Sequence, residues 1–142
     1  MNSEPRELYL NLIVRDLDRT TAFFRRLGFS FESAFSNERV ACMRVSDRGF
    51  VMFLVPEFFA TFTSRAPADP HATTASLYAF SASGRAEVDA MVTEACAAGG
   101  DEARPPTDQG PMYSRSFYDL DGHQWEVLWM DMSAMTDAAT DG

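Results

Sequence analysis

The chain has 142 residues, and its 21 acidic residues against 12 basic ones, all of them arginine, give a net charge of −9 at pH 7. A 46% hydrophobic fraction that includes 12 Phe, 4 Tyr and 2 Trp is enough to fill one core, which excludes a disordered chain and makes a single domain the default. No stretch concentrates the arginines, so neither nucleic acid nor an anionic membrane surface is expected as a partner.

The longest clean apolar run, residues 50–55, is far shorter than the roughly 20 residues that cross a bilayer. The first residues lack a basic start followed by an apolar stretch, so we expect a cytoplasmic protein. Cys42 and Cys96 lie in a strand-like and a helix-like segment, which predicts free thiols rather than a disulfide framework.

The first half of the chain predicts a strand, a helix and three more strands. Apolar residues alternate over residues 8–14, which is typical of a strand, and Asp16 is placed to cap a helix that Gly28 ends. The three strands that follow are predicted at 29–35, 40–45 and 50–55.

The second half predicts the same order of elements. A strand over 75–80 precedes a helix that Ser83 is placed to cap and Gly99 to end. A short extended piece at 102–104, a loop over 105–111, and strands at 112–118 and 124–130 joined by a turn at 119–122 complete the unit.

This duplication predicts an α+β fold made of two βαβββ modules. Such modules would form a cupped, eight-stranded mixed sheet with the helices on its convex side. We assign residues 1–131 to one domain, with module one at 8–55, a connector at 56–73 and module two at 74–130, and residues 132–142 to an acidic flexible tail. We also expect a homodimer, while the sequence leaves open whether the modules pair within or between chains.

The segments 12–17 and 23–29, and the sequence Ser116-Phe117-Tyr118-Asp119-Leu120-Asp121-Gly122-His123-Gln124-Trp125-Glu126-Val127, resemble the vicinal oxygen chelate superfamily. This group includes glyoxalase I, bleomycin-resistance proteins and extradiol dioxygenases. The ending 125–131 is similar to a branch related to lactoylglutathione lyase. The resemblance implies a glyoxalase-like fold and a small-molecule ligand, but it does not decide the reaction.

In metal-dependent members of that superfamily, the ligands come from the first and last strands of each module. Counting from the helix caps and the turn glycines, the matching positions here are Tyr9, Phe53, Ser76 and Glu126. Only Glu126 is a normal ligand, whereas a divalent metal needs three or four strong donors. We therefore expect no cofactor and no metal site; Ni, Zn, Fe or Mn bound through Glu126 is the alternative.

Glu126 is the candidate catalytic residue, since it alternates with apolar neighbours on its strand and is predicted to face the concave side. A carboxylate in an apolar cup can act as a general base next to a carbonyl, although pairing with an arginine is an equally weighted reading. Arg115 is considered both as that partner and as a ligand for a substrate carboxylate. The predicted substrate-binding residues are Tyr9, Asn11, Phe53, Ser76, Tyr78, Tyr113 and Arg115.

Two functions follow from these residues. The first is a glyoxalase-like enzyme, a lyase or isomerase resembling lactoylglutathione lyase, that transfers a proton next to a carbonyl with the usual metal site largely lost. The second is a non-catalytic protein that binds an antibiotic-type small molecule, as bleomycin-resistance proteins do. The residues do not identify the ligand.

Overall fold

The computed structural model describes residues 4–134 and divides into two compact units, Met1–Asp69 and Pro70–Gly142. The division falls inside the predicted connector. Of the predicted tail at 132–142, residues 135–142 lie outside the described part of the chain. None of the helices in residues 4–134 has the length and apolar character needed to span a membrane.

The first unit contains a four-stranded mixed sheet with the order β1-β4-β3-β2. Helix α1 begins after Asp16, whose side chain accepts a 3.1 Å hydrogen bond from the amide of Arg19, and ends before Gly28, which has a φ of 104°. The strand predicted at 29–35 is shorter than expected, because the chain enters a 3₁₀ helix soon after a strand of two residues. The elements are β1 (Leu8–Ile13), α1 (Leu17–Arg26), β2 (Ser30–Phe31), the 3₁₀ helix Ser33–Phe35, β3 (Val40–Arg44) and β4 (Gly49–Leu54).

A short helix follows this sheet, in the segment predicted to be a connector. Helix α2 (Pro56–Phe59) continues into a 3₁₀ helix (Ala60–Phe62). The Arg39 guanidinium lies 4.4 Å from the centre of the Phe58 ring, and Phe62 is 68% exposed. The aromatic residues of this segment are therefore surface groups rather than core.

The second unit contains a five-stranded mixed sheet with the order β5-β9-β8-β6, in which β7 also pairs with β8. Strand β7 lies in the segment predicted to be a loop, which raises the strand count of this unit above the four predicted. The predicted bounds of the last two strands are confirmed. The elements are β5 (Tyr78–Ser81), α3 (Arg85–Ala97), β6 (Asp101–Glu102), β7 (Thr107–Asp108), β8 (Met112–Tyr118) and β9 (Gln124–Met130).

The predicted cap of α3 is wrong by one residue. Gly84 occupies the N-cap position, and the hydroxyl of Ser83 instead donates a 2.8 Å hydrogen bond to Glu87. The rest of the helix follows the prediction, since Val88, Val92 and Ala95 are fully buried. The α+β architecture with one long helix after the first strand of each unit is confirmed, but residues 4–134 form nine strands in a four-stranded and a five-stranded sheet, where eight strands were predicted.

Candidate functional site

Strand β9 presents two chemically different faces. Trp125 and Val127 are buried on the face that α3 covers, and Phe117 of β8 stacks on Trp125 with ring centres 6.4 Å apart. Side chains alternate along a strand, so Glu126 and Gln124 lie on the opposite face. The predicted orientation of Glu126 away from the helix is therefore confirmed by the packing of its neighbours.

Glu126 is only 8% exposed and is held at both carboxylate oxygens. Its Oε1 accepts hydrogen bonds from two nitrogens of Arg104, Nε at 3.1 Å and Nη2. Its Oε2 accepts a 3.0 Å hydrogen bond from the side-chain nitrogen, Nε2, of Gln124. Bonds of this charge-assisted kind are about twice as strong as neutral ones, so the carboxylate has a fixed position.

Arg104 reaches Glu126 from the segment between β6 and β7. The amide of Ala103 donates a 3.1 Å hydrogen bond to the carbonyl of Ser116, which holds this segment against β8. The guanidinium also donates from Nη1 to the hydroxyl of Thr107 at 2.6 Å and from Nη2 to that of Ser114 at 3.3 Å. The arginine partner of Glu126 is thus Arg104 and not Arg115.

Ser116 lies directly opposite Glu126 in the β8–β9 register. Its side chain is completely buried, and its Oγ has no hydrogen-bond partner among residues 4–134. A buried hydroxyl without a partner costs about 1–3 kcal/mol, and such groups mark places where a water or a ligand atom binds. Ser116 is therefore a site residue that the sequence interpretation did not identify.

Arg115 and Tyr113 were predicted to share the face of Glu126, and this prediction is wrong. Both lie on the α3 face, because Arg115 pairs with Val127 in the strand register. The Tyr113 hydroxyl donates a 2.6 Å hydrogen bond to Asp89 of α3, and Arg115 donates to the same carboxylate at 3.2 Å. The hydrogen bond from Tyr113, assisted by Arg115, lowers the pKa of Asp89. These contacts attach the helix to the sheet.

Tyr78 also lies on the α3 face, although it was predicted to line a pocket with Glu126. It is opposite Trp125 in the β5–β9 register, and the two ring centres are 5.4 Å apart. Burial raises the pKa of Tyr78, and a hydrogen bond with Ser76 opposes that shift. Ser76 itself lies before β5 rather than in it, because this strand begins three residues later than predicted.

Three of the predicted substrate-binding residues, Phe53, Tyr9 and Asn11, belong to the first unit. Counting four residues from the turn glycine selected Phe53, which lies on the face of the sheet that packs on the helix. Phe53 is fully buried and stacks on Phe24 of α1 at 5.1 Å, so it is core. Tyr9 and Asn11 lie on the other face of this sheet, where Asn11 pairs with Met52. Tyr9 is 53% exposed and stacks on a neighbouring phenylalanine ring.

The donor set does not fit a metal centre. In the first unit, the strand positions Tyr9, Asn11 and Met52 that face away from α1 include no strong ligand. In the second unit Glu126 is a strong ligand, but its Oε1 already accepts from a cation. Residues 4–134 contain no group of three or more His, Cys, Asp or Glu side chains arranged to hold a metal ion. We derive no chemistry through a metal at this site.

The turn that leads into β9 has a structural role. The Asp119 carboxylate accepts hydrogen bonds from the amides of Asp121 and His123, both at 3.0 Å, and from the indole nitrogen of Trp125 at 2.9 Å. Burial raises the pKa of Asp119, against the effect of these donors and of His123. His123 precedes the strand and contacts Tyr78, so it and Glu126 do not form a chelating pair.

With this geometry in place, comparison with known proteins identifies the class. The profile of the Glyoxalase/Bleomycin resistance protein/Dioxygenase superfamily matches residues 8–127. The chain belongs to this superfamily, as the resemblance implied. None of the curated proteins compared with the chain matches it.

Solved structures share the fold at low sequence identity. A hypothetical protein from S. aureus is 22% identical with a TM-score of 0.76, covering 89% of this chain and 95% of its own. A glyoxalase-related enzyme from Fulvimarina pelagi is 18% identical with a TM-score of 0.73, covering 90% and 88%. The fosfomycin resistance protein FosX from Mesorhizobium loti is 20% identical with a TM-score of 0.65, covering 96% and 99%. Both enzymes and resistance proteins therefore have this fold.

Proposed function

We propose that the chain is a small-molecule-binding protein of the resistance type, and that Glu126 is a fixed binding group rather than a catalytic base. The single observation that carries this proposal is that both oxygens of Glu126 accept hydrogen bonds, from Arg104 and from Gln124. A general base takes up the proton of its substrate and loses its negative charge, which here would leave the Arg104 guanidinium without its counter-ion. In this arrangement the carboxylate is committed to holding an ion pair.

The surroundings of Glu126 support a binding site for a flat molecule. Across the sheet, Glu126 pairs with Ala79 of β5, and Leu128 pairs with Ser81. Ala79 and Ser81 are both exposed and small, so the strip beside Glu126 has room for a ligand. Polar groups that fix orientation, set beside an apolar contact surface, are typical of small-molecule sites.

The first experiment combines a binding screen with a substitution. We would screen aromatic small molecules by ¹H–¹⁵N NMR and follow the amides of Ala79, Gln124 and Glu126, with Gln109→Ala in the exposed loop as the control variant. Binding at this strip should shift these amides and weaken in Glu126→Gln. Ligands that instead shift amides elsewhere, and bind the Glu126→Gln protein equally well, would contradict the proposal.

A second candidate function is proton transfer by Glu126 next to a carbonyl, a lyase or isomerase reaction of the lactoylglutathione lyase type. One observation favours it: the Arg104 side chain is 36% exposed, so a substrate oxygen can reach the guanidinium and draw it away from the carboxylate. Incubation with hydroxyacetone in D₂O tests this candidate directly. Deuterium incorporation that Glu126→Gln abolishes would support catalysis, and no incorporation above buffer would support the binding function.

We propose that the protein works without a resident metal or other cofactor, because Glu126 alone among the donor positions is a strong ligand. Elemental analysis after exposure to nickel, zinc, iron and manganese tests this. Near one metal per chain, lost in Glu126→Gln, would contradict it. A homodimer and a cytoplasmic location remain predictions; light scattering during size-exclusion chromatography would measure whether the mass is twice that of the chain.

A further inference from the structure

The chemical class of the ligand follows from counting which hydrogen-bonding groups at Glu126 remain unused. An arginine has five N–H donors, a carboxylate oxygen accepts two hydrogen bonds, and a side-chain amide oxygen also accepts two. The groups to count belong to Arg104, Glu126, Gln124 and Ser116. This inference rests on the proposed binding function and deepens it.

Arg104 has no free donor. Its Nε and one Nη2 hydrogen bond to Glu126, its second Nη2 hydrogen bonds to Ser114 at 3.3 Å, and its Nη1 donates to Thr107 at 2.6 Å and to the carbonyl of Pro105 at 3.4 Å. The five N–H groups thus make five hydrogen bonds to four acceptor atoms, since Oε1 of Glu126 accepts two of them. A ligand that brings only acceptors, such as a carboxylate or phosphate, must break existing bonds to reach the guanidinium.

Unused acceptors do remain on the same face. Oε2 of Glu126 accepts one hydrogen bond, from Gln124, and has a second acceptor position. The Gln124 side chain uses its amide nitrogen for that bond, so its amide oxygen is not engaged with Glu126. The buried hydroxyl of Ser116, directly opposite Glu126, is unpartnered as well.

The charge at the site is already balanced. The Arg104 guanidinium neutralises the Glu126 carboxylate, so a cationic ligand gains little there over a neutral one. The exposed neighbours Ala79 and Ser81 on β5 leave a flat strip. We infer that the site takes a neutral, flat molecule that presents N–H or O–H donors, such as a carboxamide, a lactam or a phenol, to Glu126 and Gln124.

Three matched probes test the inference: benzamide, which donates two N–H groups, N,N-dimethylbenzamide, which donates none, and benzoate, which is anionic. Each would be titrated at millimolar concentration while the amides of Ala79, Gln124 and Glu126 are followed by NMR. We expect benzamide to bind at least about fivefold more tightly than either of the others, the effect of one net hydrogen bond.

The variants separate this inference from the proposed function. Gln124→Ala and Ser116→Ala leave Arg104 on Glu126, so both should fold, and Gln124→Ala should weaken benzamide about fivefold while Gln109→Ala has no effect. Equal or tighter binding of dimethylbenzamide or benzoate at these amides would overturn the donor inference and leave the binding function standing. If none of the probes shifts these amides, the binding function fails together with the inference.

Discussion

Replacing each member of the Arg104–Glu126 pair alone and together would measure how strongly the pair is held. Arg104→Met keeps most of the aliphatic stem and removes the guanidinium, and Glu126→Gln keeps the shape and removes the charge. The Glu126 side chain is only 10% exposed, so in Arg104→Met it is left as a nearly buried charge without its cation. The same change removes the donors that Thr107 and Ser114 accept from.

The expected magnitude follows from the exposure of the two partners. Breaking a fully buried pair costs about 3–5 kcal/mol, but Arg104 is 36% exposed and solvent screening reduces its share. We therefore expect Arg104→Met to lower the free energy of unfolding by about 2–3 kcal/mol and Glu126→Gln by about 1–2 kcal/mol. The double variant should lose less than the sum, with a coupling energy of about 1–2 kcal/mol.

Urea unfolding at pH 7, followed by tryptophan fluorescence, measures all four proteins, since the Trp125 indole is only 2% exposed in the folded state. The control is the pair Arg48–Glu7, whose side chains are 52% and 50% exposed at 3.4 Å. The same cycle there should give a coupling below about 0.5 kcal/mol. If the Arg104 and Glu126 effects add within about 0.5 kcal/mol, the pair is not the organising feature of this face.

Three further outcomes are expected. Phe53→Ala should destabilise the fold by about 3–5 kcal/mol in urea, because this ring is fully buried against Phe24; a loss below about 1 kcal/mol would contradict its core position. The hydrogen bond from Arg85 lowers the pKa of Asp108 to about 2. The stability that this pair contributes is therefore present above about pH 4 and is lost as the pH falls through about 2. An NMR titration of Asp108 should show a midpoint near pH 2, and Arg85→Met should raise that midpoint. Ser116→Ala should be neutral or stabilising by up to about 1 kcal/mol in the absence of ligand, since it removes an unpaired buried hydroxyl; clear destabilisation would mean that the hydroxyl has a partner.

The fold could be predicted because its signals are local. Gly28 and Gly99, with φ of 104° and 110°, end the two helices in conformations that glycine adopts readily, and their positions revealed the repeated order of elements. The bounds of β8 and β9 were also predictable, since Gly122 closes the turn between them with a φ of 90°. Strand β7 was missed because a two-residue strand has no periodicity to detect.

The assignment of residues to faces failed where it depended on counting from glycines. The residue four positions after the turn glycine is Glu126 in β9, which faces away from α3, and Phe53 in β4, which packs on α1. The spacing from this glycine to the strand positions that face away from the helix therefore differs between the two units. A one-residue difference moves a side chain to the opposite face. Pairing the predicted strand ends, Tyr118 and Gln124, would have placed Ser116 opposite Glu126.

Arg104 could not be found in this way. It lies in irregular backbone between two short strands, 22 residues before its partner, and nothing in its immediate sequence specifies where its side chain ends. The reading of Glu126 as an arginine-paired carboxylate was available from the sequence, but the identity of the arginine was not. Arg115 was the natural choice on its longer strand, yet it pairs with Asp89 and Glu102.

The choice between binding and catalysis depends on what happens to the charge of Glu126. Both Arg104 bonds go to Oε1, so Oε2 can accept a further hydrogen bond without displacing the guanidinium. A base that takes a proton from its substrate becomes neutral, which would leave Arg104 without the carboxylate charge that it now balances. A ligand that donates a hydrogen bond to the open position on Oε2 keeps the ion pair intact, because no proton is transferred. The arrangement of Arg104, Gln124 and Glu126 therefore favours a donor-bearing ligand that binds and stays unchanged.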